Sequence, residues 1–131
     1  MKKILLPVLI LLAIACQNIY PEIIHIEGDR MHVQGIALDH KEDCMYCSFT
    51  TSFLKTDLKG NIIASTTGIN CHLGDIAFDA SGRKVYASLE IKDDALGRSI
   101  SNALGVSEHS REQSCFYIAE IDVDKLTGPD M

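Results

Sequence analysis

Three short motifs that identify common enzyme classes are missing from the sequence. It contains no G-x-S-x-G nucleophile elbow, no glycine-rich loop that cradles phosphate, and no dinucleotide-binding fingerprint. No residue pattern therefore assigns the chain to a class of enzyme.

Basic residues are few, with 12 Lys and Arg against 18 Asp and Glu and a formal net charge of −6. Nucleic-acid binding depends on clustered Lys and Arg side chains that neutralise phosphates. The acidic balance therefore predicts no nucleic-acid partner and no direct binding to anionic lipid headgroups. The hydrophobic share, 47%, is typical of a globular chain.

No apolar run is long enough to predict a membrane-spanning helix. The amino terminus instead has two lysines after the initial methionine, an apolar run over residues 4–15 with one proline, and Cys16 directly after it. A basic start, about a dozen apolar residues and a small residue before the cleavage point are typical of a secretory signal. We therefore predict a helical signal peptide over residues 1–15.

The sequence Ala13-Ile14-Ala15-Cys16 resembles a bacterial lipobox, which implies that Cys16 carries lipid and becomes the first mature residue. Several acyl chains anchor a protein stably without spanning the membrane. We expect an exported chain of 116 residues and net charge −8, attached to the bacterial cell membrane or outer membrane, periplasmic or surface-exposed. The alternative is an ordinary signal peptide followed by an incidental cysteine.

Only one C-x-x-C spacing occurs, at Cys44 and Cys47. Both lie in or beside a predicted strand, where side chains three residues apart point to opposite faces. A zinc site also needs a second pair of ligands, so no metal site is predicted. Cys44, Cys47, Cys71 and Cys115 are expected to be small buried apolar residues, with a disulfide possible in an oxidising envelope.

One stretch of the chain occurs twice. Residues 32–49 read HVQGIALDHKEDCMYCSF and residues 72–89 read HLGDIAFDASGRKVYASL, at a constant offset of 40. Six positions are identical: His32/His72, Ile36/Ile76, Ala37/Ala77, Asp39/Asp79, Tyr46/Tyr86 and Ser48/Ser88. A period of this length with strands in each unit is typical of β-propeller blades. Two unrelated hairpins with similar turns are the alternative.

The fold prediction is all-β, a partial β-propeller of about two four-stranded antiparallel blades after the signal helix. Predicted strands lie at 22–27, 35–38, 45–49, 53–58, 62–66, 73–78, 84–90 and 115–122. Residues 16–31 are a tether that includes a possible ring-closing strand, residues 32–70 are blade one, and residues 71–131 are an incomplete blade two.

The third strand of blade two lies 65 residues after that of blade one, whereas the repeat offset is 40. Blade two therefore contains an insertion over residues 91–115. Leu96, Ile100 and Leu104 recur every four residues, which predicts a short amphipathic helix capped by Asp93 or Asp94. Such an insertion is either a functional lid or a variable excursion.

Two blades are too few to close a ring, since propellers have about four to eight. We expect the chain to be an amino-terminal fragment of a longer propeller protein. Assembly of several short chains into one ring is the alternative.

Three segments carry a family resemblance: Gln34-Gly35-Ile36-Ala37-Leu38-Asp39, the segment 55–61 (KTDLKGN), and Asp75-Ile76-Ala77-Phe78-Asp79. The chain resembles the YncE-like and gluconolactonase-like propellers of exported bacterial proteins. The gluconolactonase-like members place a divalent metal in the channel, held partly by a Glu before a Gly-Ile pair. Gln34 occupies that place here, and an amide binds calcium or zinc less well than a carboxylate.

The candidate ligand-binding residues are His32, Gln34, His72, Asp75 and Glu90, which we expect near the mouth of the central channel. A His beside a carboxylate can hold a metal or move a proton, while repeated His residues also serve turns and packing. The first function hypothesis is an envelope-anchored binding or scaffold module for an unknown small molecule or protein, without a cofactor. The alternative is a lactonase-like, metal-dependent hydrolase of which this chain holds part of the site.

Overall fold

Two antiparallel β-sheets and one short helix make up the described part of the chain. The computed structural model describes residues 23–27, 32–92, 94–105 and 115–129. The elements are β1 (Val33–Asp39), β2 (Cys44–Phe49), β3 (Phe53–Asp57), β4 (Ile62–Thr66), β5 (His72–Asp79), β6 (Lys84–Ile91), α1 (Ala95–Leu104) and β7 (Cys115–Asp122), followed by a 3-10 turn at Val123–Lys125. The first sheet has the order β1-β2-β3-β4 and the second β5-β6-β7.

The sequence repeat is also a structural repeat. Asp39 ends β1 and accepts the Lys41 amide at 3.0 Å, and Asp79 ends β5 and accepts the Ser81 amide at 2.9 Å. An Asp side chain favours a turn in this way. Asp43 and Arg83, again 40 apart, both close their turns at positive φ, 49° and 55°.

Each sheet has two faces that the repeat distinguishes. The leading face carries the identical Ala, Asp, Tyr and Ser positions: Ala37, Asp39, Tyr46 and Ser48 in the first sheet, and Ala77, Asp79, Tyr86 and Ser88 in the second. The trailing face carries their neighbours: Ile36, Leu38, Met45 and Cys47 in the first sheet, and Ile76, Phe78, Val85 and Ala87 in the second. Alternation along each strand separates the two sets.

The main core lies between the leading face of the first sheet and the trailing face of the second. Tyr46 is fully buried there, with its ring 5.0 Å from that of Phe78 and 6.0 Å from that of Phe53. The Ser48 hydroxyl donates to the Gly74 carbonyl at 2.6 Å, across the two sheets. The sheets therefore pack face to face through both apolar contact and hydrogen bonds.

Seven predicted strands are confirmed, with ends shifted by at most two residues. The predicted helix is confirmed as Ala95–Leu104, and Asp94 is its N-cap, since its carboxylate accepts the Gly97 amide at 2.8 Å. The predicted strand at 22–27 is wrong over residues 23–27, which belong to neither sheet. Their Ile26 side chain instead packs on Met45, Cys47, Phe49 and Leu54.

The cysteine prediction is confirmed for the strand pair. Cys44 is buried in the core between the sheets, and Cys47 is buried on the other face of the first sheet. Cys71 is buried as well, whereas Cys115 is half-buried. Among the described residues these four cysteines form no disulfide with one another, so the disulfide alternative is wrong for pairs within this set. Burial raises the pKa of both the Cys44 and the Cys47 thiol.

The predicted signal peptide and the lipidation site at Cys16 lie outside the described residues. Within the described ranges no helix is long and apolar enough to cross a membrane. The two sheets do not close a ring.

Candidate functional site

A cavity of about 400 Å³ opens where β5, β6 and β7 meet the first sheet. Its described lining residues are Gln34, His72, Leu73, Gly74, Ser88, Leu89, Glu90, Phe116, Tyr117 and Ile118. An amide, an imidazole and a carboxylate thus share one space with two aromatic rings. A mostly apolar pocket with a few polar groups is the usual form of a small-molecule site.

Strand pairing brings the polar groups together. His72 begins β5 and lies opposite Glu90 near the end of β6 in the antiparallel register. Gln34 enters from β1 of the neighbouring sheet, where its amide nitrogen donates to the Thr50 hydroxyl at 3.3 Å. The same amide nitrogen lies 3.0 Å from Nε2 of His32. Residues far apart in the chain therefore converge at one end of the sheet pair.

The imidazole of His72 has an unused hydrogen-bonding atom. Its Nε2 is buried and has no hydrogen-bond partner among the described residues. A buried polar atom of this kind carries a desolvation cost that a ligand or water normally offsets. The Glu90 carboxylate, by contrast, pairs with the Lys92 ammonium at 2.7 Å.

Three of the five predicted site residues line the cavity: Gln34, His72 and Glu90. His32 is exposed and reaches the site only through its contact with Gln34. Asp75 is exposed, and its Oδ1 accepts the amide of its neighbour Ile76 at 2.9 Å. The prediction that Asp75 belongs to the site is not supported by this placement, because its carboxylate is engaged by the backbone.

The sequence did not indicate the cavity residues of β7, Phe116, Tyr117 and Ile118. They were predicted only as part of a strand. Their signal was three large apolar residues in succession, which places apolar groups on both faces of one strand. A strand that is polar on one face would alternate instead.

A second polar cluster joins the two sheets at the opposite end of β1. The Asp39 carboxylate accepts from Arg83 Nη1 at 2.6 Å, and the same guanidinium contacts Glu42 at 2.6 Å and Asp124 at 2.9 Å. Burial alone would raise the pKa of Asp39, but the bonds from Arg83 and from the Lys41 and Glu42 amides lower it overall.

Ligand atoms of Asp39, Glu42 and Cys44 lie within 4.8 Å of one another, the spacing of a metal site. The cationic partner of this group is already present as Arg83, and Lys55 pairs with Glu42 at 2.7 Å. Metal binding also requires the thiolate, whereas burial raises the pKa of Cys44. This cluster is an ion-pair network between the sheets.

Helix α1 is anchored beside the link between the sheets. Ile100 and Ser101 are buried, and the Ser101 hydroxyl contacts Asn70 Oδ1 at 3.4 Å. The pKa of Asp94 is lowered chiefly by the Gly97 amide, with smaller contributions from Lys92 and His72. The cap of the helix thus faces the His72 side, although no described residue of the helix lines the cavity.

Comparison of the chain with known protein families, with curated proteins and with solved structures finds no match.

Proposed function

We propose that the chain is a ligand-binding module of the propeller type, which uses the cavity at Gln34, His72 and Glu90 for a small polar molecule. The buried Nε2 of His72, which no described residue satisfies, carries this proposal. A ligand that presents a hydrogen-bonding group to this atom removes its desolvation cost. Phe116 and Tyr117 supply apolar surface beside it, which suits a compact polar molecule with an apolar side.

The proposed place of this module is the cell envelope, attached through lipid on Cys16. The amino-terminal pattern of two lysines, an apolar run and a cysteine after Ala13-Ile14-Ala15 supports it. The YncE-like resemblance of the repeat points to the same exported class. Release of a detergent-soluble, lipid-labelled product from membranes tests the anchor, and Cys16→Ser is the variant expected to lose the label.

A metal-dependent, lactonase-like hydrolase is the second candidate. One observation favours it: His72 and Glu90 share a cavity, and a His beside a carboxylate can transfer a proton. Against it, Lys92 already pairs with Glu90. The hydroxyl of Ser88 points to the Asp75 carbonyl at 3.4 Å, so it is not directed at the imidazole as a nucleophile would be.

The binding proposal is tested by NMR titration of the chain with D-glucose, D-gluconate and glycerol. We expect chemical-shift changes confined to the cavity residues, lost in His72→Ala. His40→Ala is the matched control, since His40 is exposed in the β1–β2 turn, and it should bind like the unaltered chain. Shifts that persist unchanged in His72→Ala, or no shifts with any of the three probes, would contradict the proposal.

The two candidates separate in a lactone assay. A hydrolase opens D-glucono-1,5-lactone faster than buffer does, requires added calcium or zinc, and loses this rate in His72→Ala. A binding module shows none of these effects while it retains the cavity shifts.

A further inference from the structure

The leading face of the second sheet repeats a surface that is an interface in the first sheet. Tyr46 is 0% exposed, whereas its equivalent Tyr86 is 39% exposed. Phe53 is 0% exposed, whereas Ile118, which lies in the same register position on β7, is 72% exposed. The same kinds of side chain are therefore covered by a sheet in one unit and open in the next.

The polar part of the interface is repeated as well. Asp39 and Asp79 each use one carboxylate oxygen to hold their turn. The second oxygen of Asp39 binds Arg83 of the following sheet at 2.6 Å. Within the described residues no basic side chain forms an ion pair with Asp79, whose pKa is lowered by Ser81 and its own turn amides.

From this we infer that the leading face of the second sheet is a docking surface for a third β-unit of the same repeat, with an apolar trailing face and a basic residue at the position of Arg83. Ala77, Asp79, Tyr86 and Ser88 are its recognition residues, because their equivalents bind the second sheet in the first unit. This inference rests on the repeat and not on the identity of the cavity's ligand, although Ser88 and Ile118 belong to both surfaces, so the third unit would border the cavity.

A second copy of this chain is a poor occupant because of its charge pattern. Its first unit carries Asp43 at the position of Arg83, so a head-to-tail pair would bring a carboxylate to Asp79 where the first interface has a guanidinium. The occupant is therefore a unit with the charge pattern of the second sheet.

One difference between the units determines where the contact is made. A Cβ at Gly35 would lie 2.7 Å from the Ile76 amide nitrogen and 2.9 Å from the Asp75 Cα, so only glycine permits this approach of β5 to β1. The equivalent position in the second unit is Asp75. The third unit thus meets the second mainly around Asp79 and Tyr86, and its inner strand stays farther away at the cavity end.

The test is a three-unit chain built from this sequence, in which residues 58–129 follow Asp122. Asp57 and Asp122 hold the same register position, opposite Cys44 and Lys84, so the splice adds a fourth strand to the second unit and then a complete copy of β5 to β7. The added Arg83 would face Asp79. Both chains are purified in detergent and unfolded with urea.

We expect a single transition in the three-unit chain with a higher midpoint than in the natural chain. Asp79→Asn should leave the urea midpoint of the natural chain almost unchanged. In the three-unit chain it should lower the midpoint as much as Asp39→Asn lowers the midpoint of the natural chain. Reversal of the added arginine alone, Arg83→Asp, should have the same effect.

Three results overturn the inference. In the first, the added unit unfolds at lower urea while the first two units keep their natural midpoint. In the second, Asp79→Asn shifts the midpoints of both chains equally. In the third, sedimentation shows that the natural chain is a dimer which Tyr86→Asp dissociates, so that a second copy is the occupant.

Discussion

The two carboxylate oxygens of Asp39 have different partners. Oδ1 accepts the turn amides of Lys41 and Glu42, and Oδ2 accepts from Arg83 of the other sheet and, at 3.4 Å, from the Tyr46 hydroxyl. The side chain is almost completely buried. One residue thus links the local turn with the packing of the sheets.

Asp39→Asn leaves one oxygen for two roles. If this oxygen accepts the turn amides, an NH2 donor faces the Arg83 guanidinium; if it faces Arg83, it is a neutral acceptor and the turn amides lose theirs. We expect a loss of about 2 kcal/mol in the free energy of unfolding, the magnitude of a hydrogen bond to a charged group. Urea unfolding at pH 7 measures it. Asp79→Asn is the matched control, since Asp79 holds the same turn without an ion pair from the described residues, and an equal loss in the two variants would refute this role.

At the scale of elements, β1 and β5 approach each other unusually closely at Gly35. The space that a side chain would need is taken by the backbone of Asp75 and Ile76. The Ser48 hydroxyl fixes the same region through the Gly74 carbonyl. The inner strands therefore pack by backbone contact, which large side chains cannot provide.

Gly35→Ala introduces a methyl group that only a movement of β5 can accommodate, since two of its three nearest neighbours would be backbone atoms, the Ile76 nitrogen and the Asp75 Cα. We expect a destabilisation of about 2 kcal/mol, typical of overpacking. Gly128→Ala is the control, because a Cβ there meets nothing within 4 Å and its φ is not in the left-handed region. Thermal unfolding of both variants checks this, and a Gly35→Ala midpoint no lower than that of Gly128→Ala would show that the inner strands are not tightly packed.

For the whole molecule, many carboxylates have a lowered pKa in the folded state. In Asp39 this results from Arg83 and turn amides that outweigh burial, in Glu42 chiefly from Lys55, and in Asp122 chiefly from Lys125. A carboxylate whose folded pKa is below its unfolded pKa stabilises the fold above the unfolded value, near 3.8 for Asp. That contribution is lost as the pH falls through the folded pKa.

We therefore expect the free energy of unfolding to be nearly constant from pH 7 to pH 5 and to fall steeply below about pH 4. Because the amide that replaces the carboxylate cannot titrate, the Asp39→Asn variant should lose less stability than the unaltered chain between pH 5 and pH 3. Urea unfolding across this range measures both slopes. Parallel curves for the two proteins would mean that the pKa of Asp39 does not differ between the folded and unfolded states.

Local sequence is sufficient to specify the elements that depend on neighbouring residues. Seven strands and the turns after Asp39 and Asp79 follow from alternation and from the repeated side chains. The helix follows from its four-residue spacing and from a cap at Asp93 or Asp94, of which the structure uses Asp94. These are short-range preferences, expressed wherever the same residues recur. The opposite faces of Cys44 and Cys47 follow from the two-residue period of a strand.

Which copy of a repeated residue is covered depends on the packing of the sheets. Tyr46 and Tyr86 hold equivalent positions of the sequence repeat, yet one is buried and the other exposed, because burial depends on the sheet that packs against the face. The pairing of Asp39 with Arg83 and the meeting of Gln34 with His72 join residues about 40 positions apart. Such contacts arise from the packing of one sheet on the other, which no local pattern specifies.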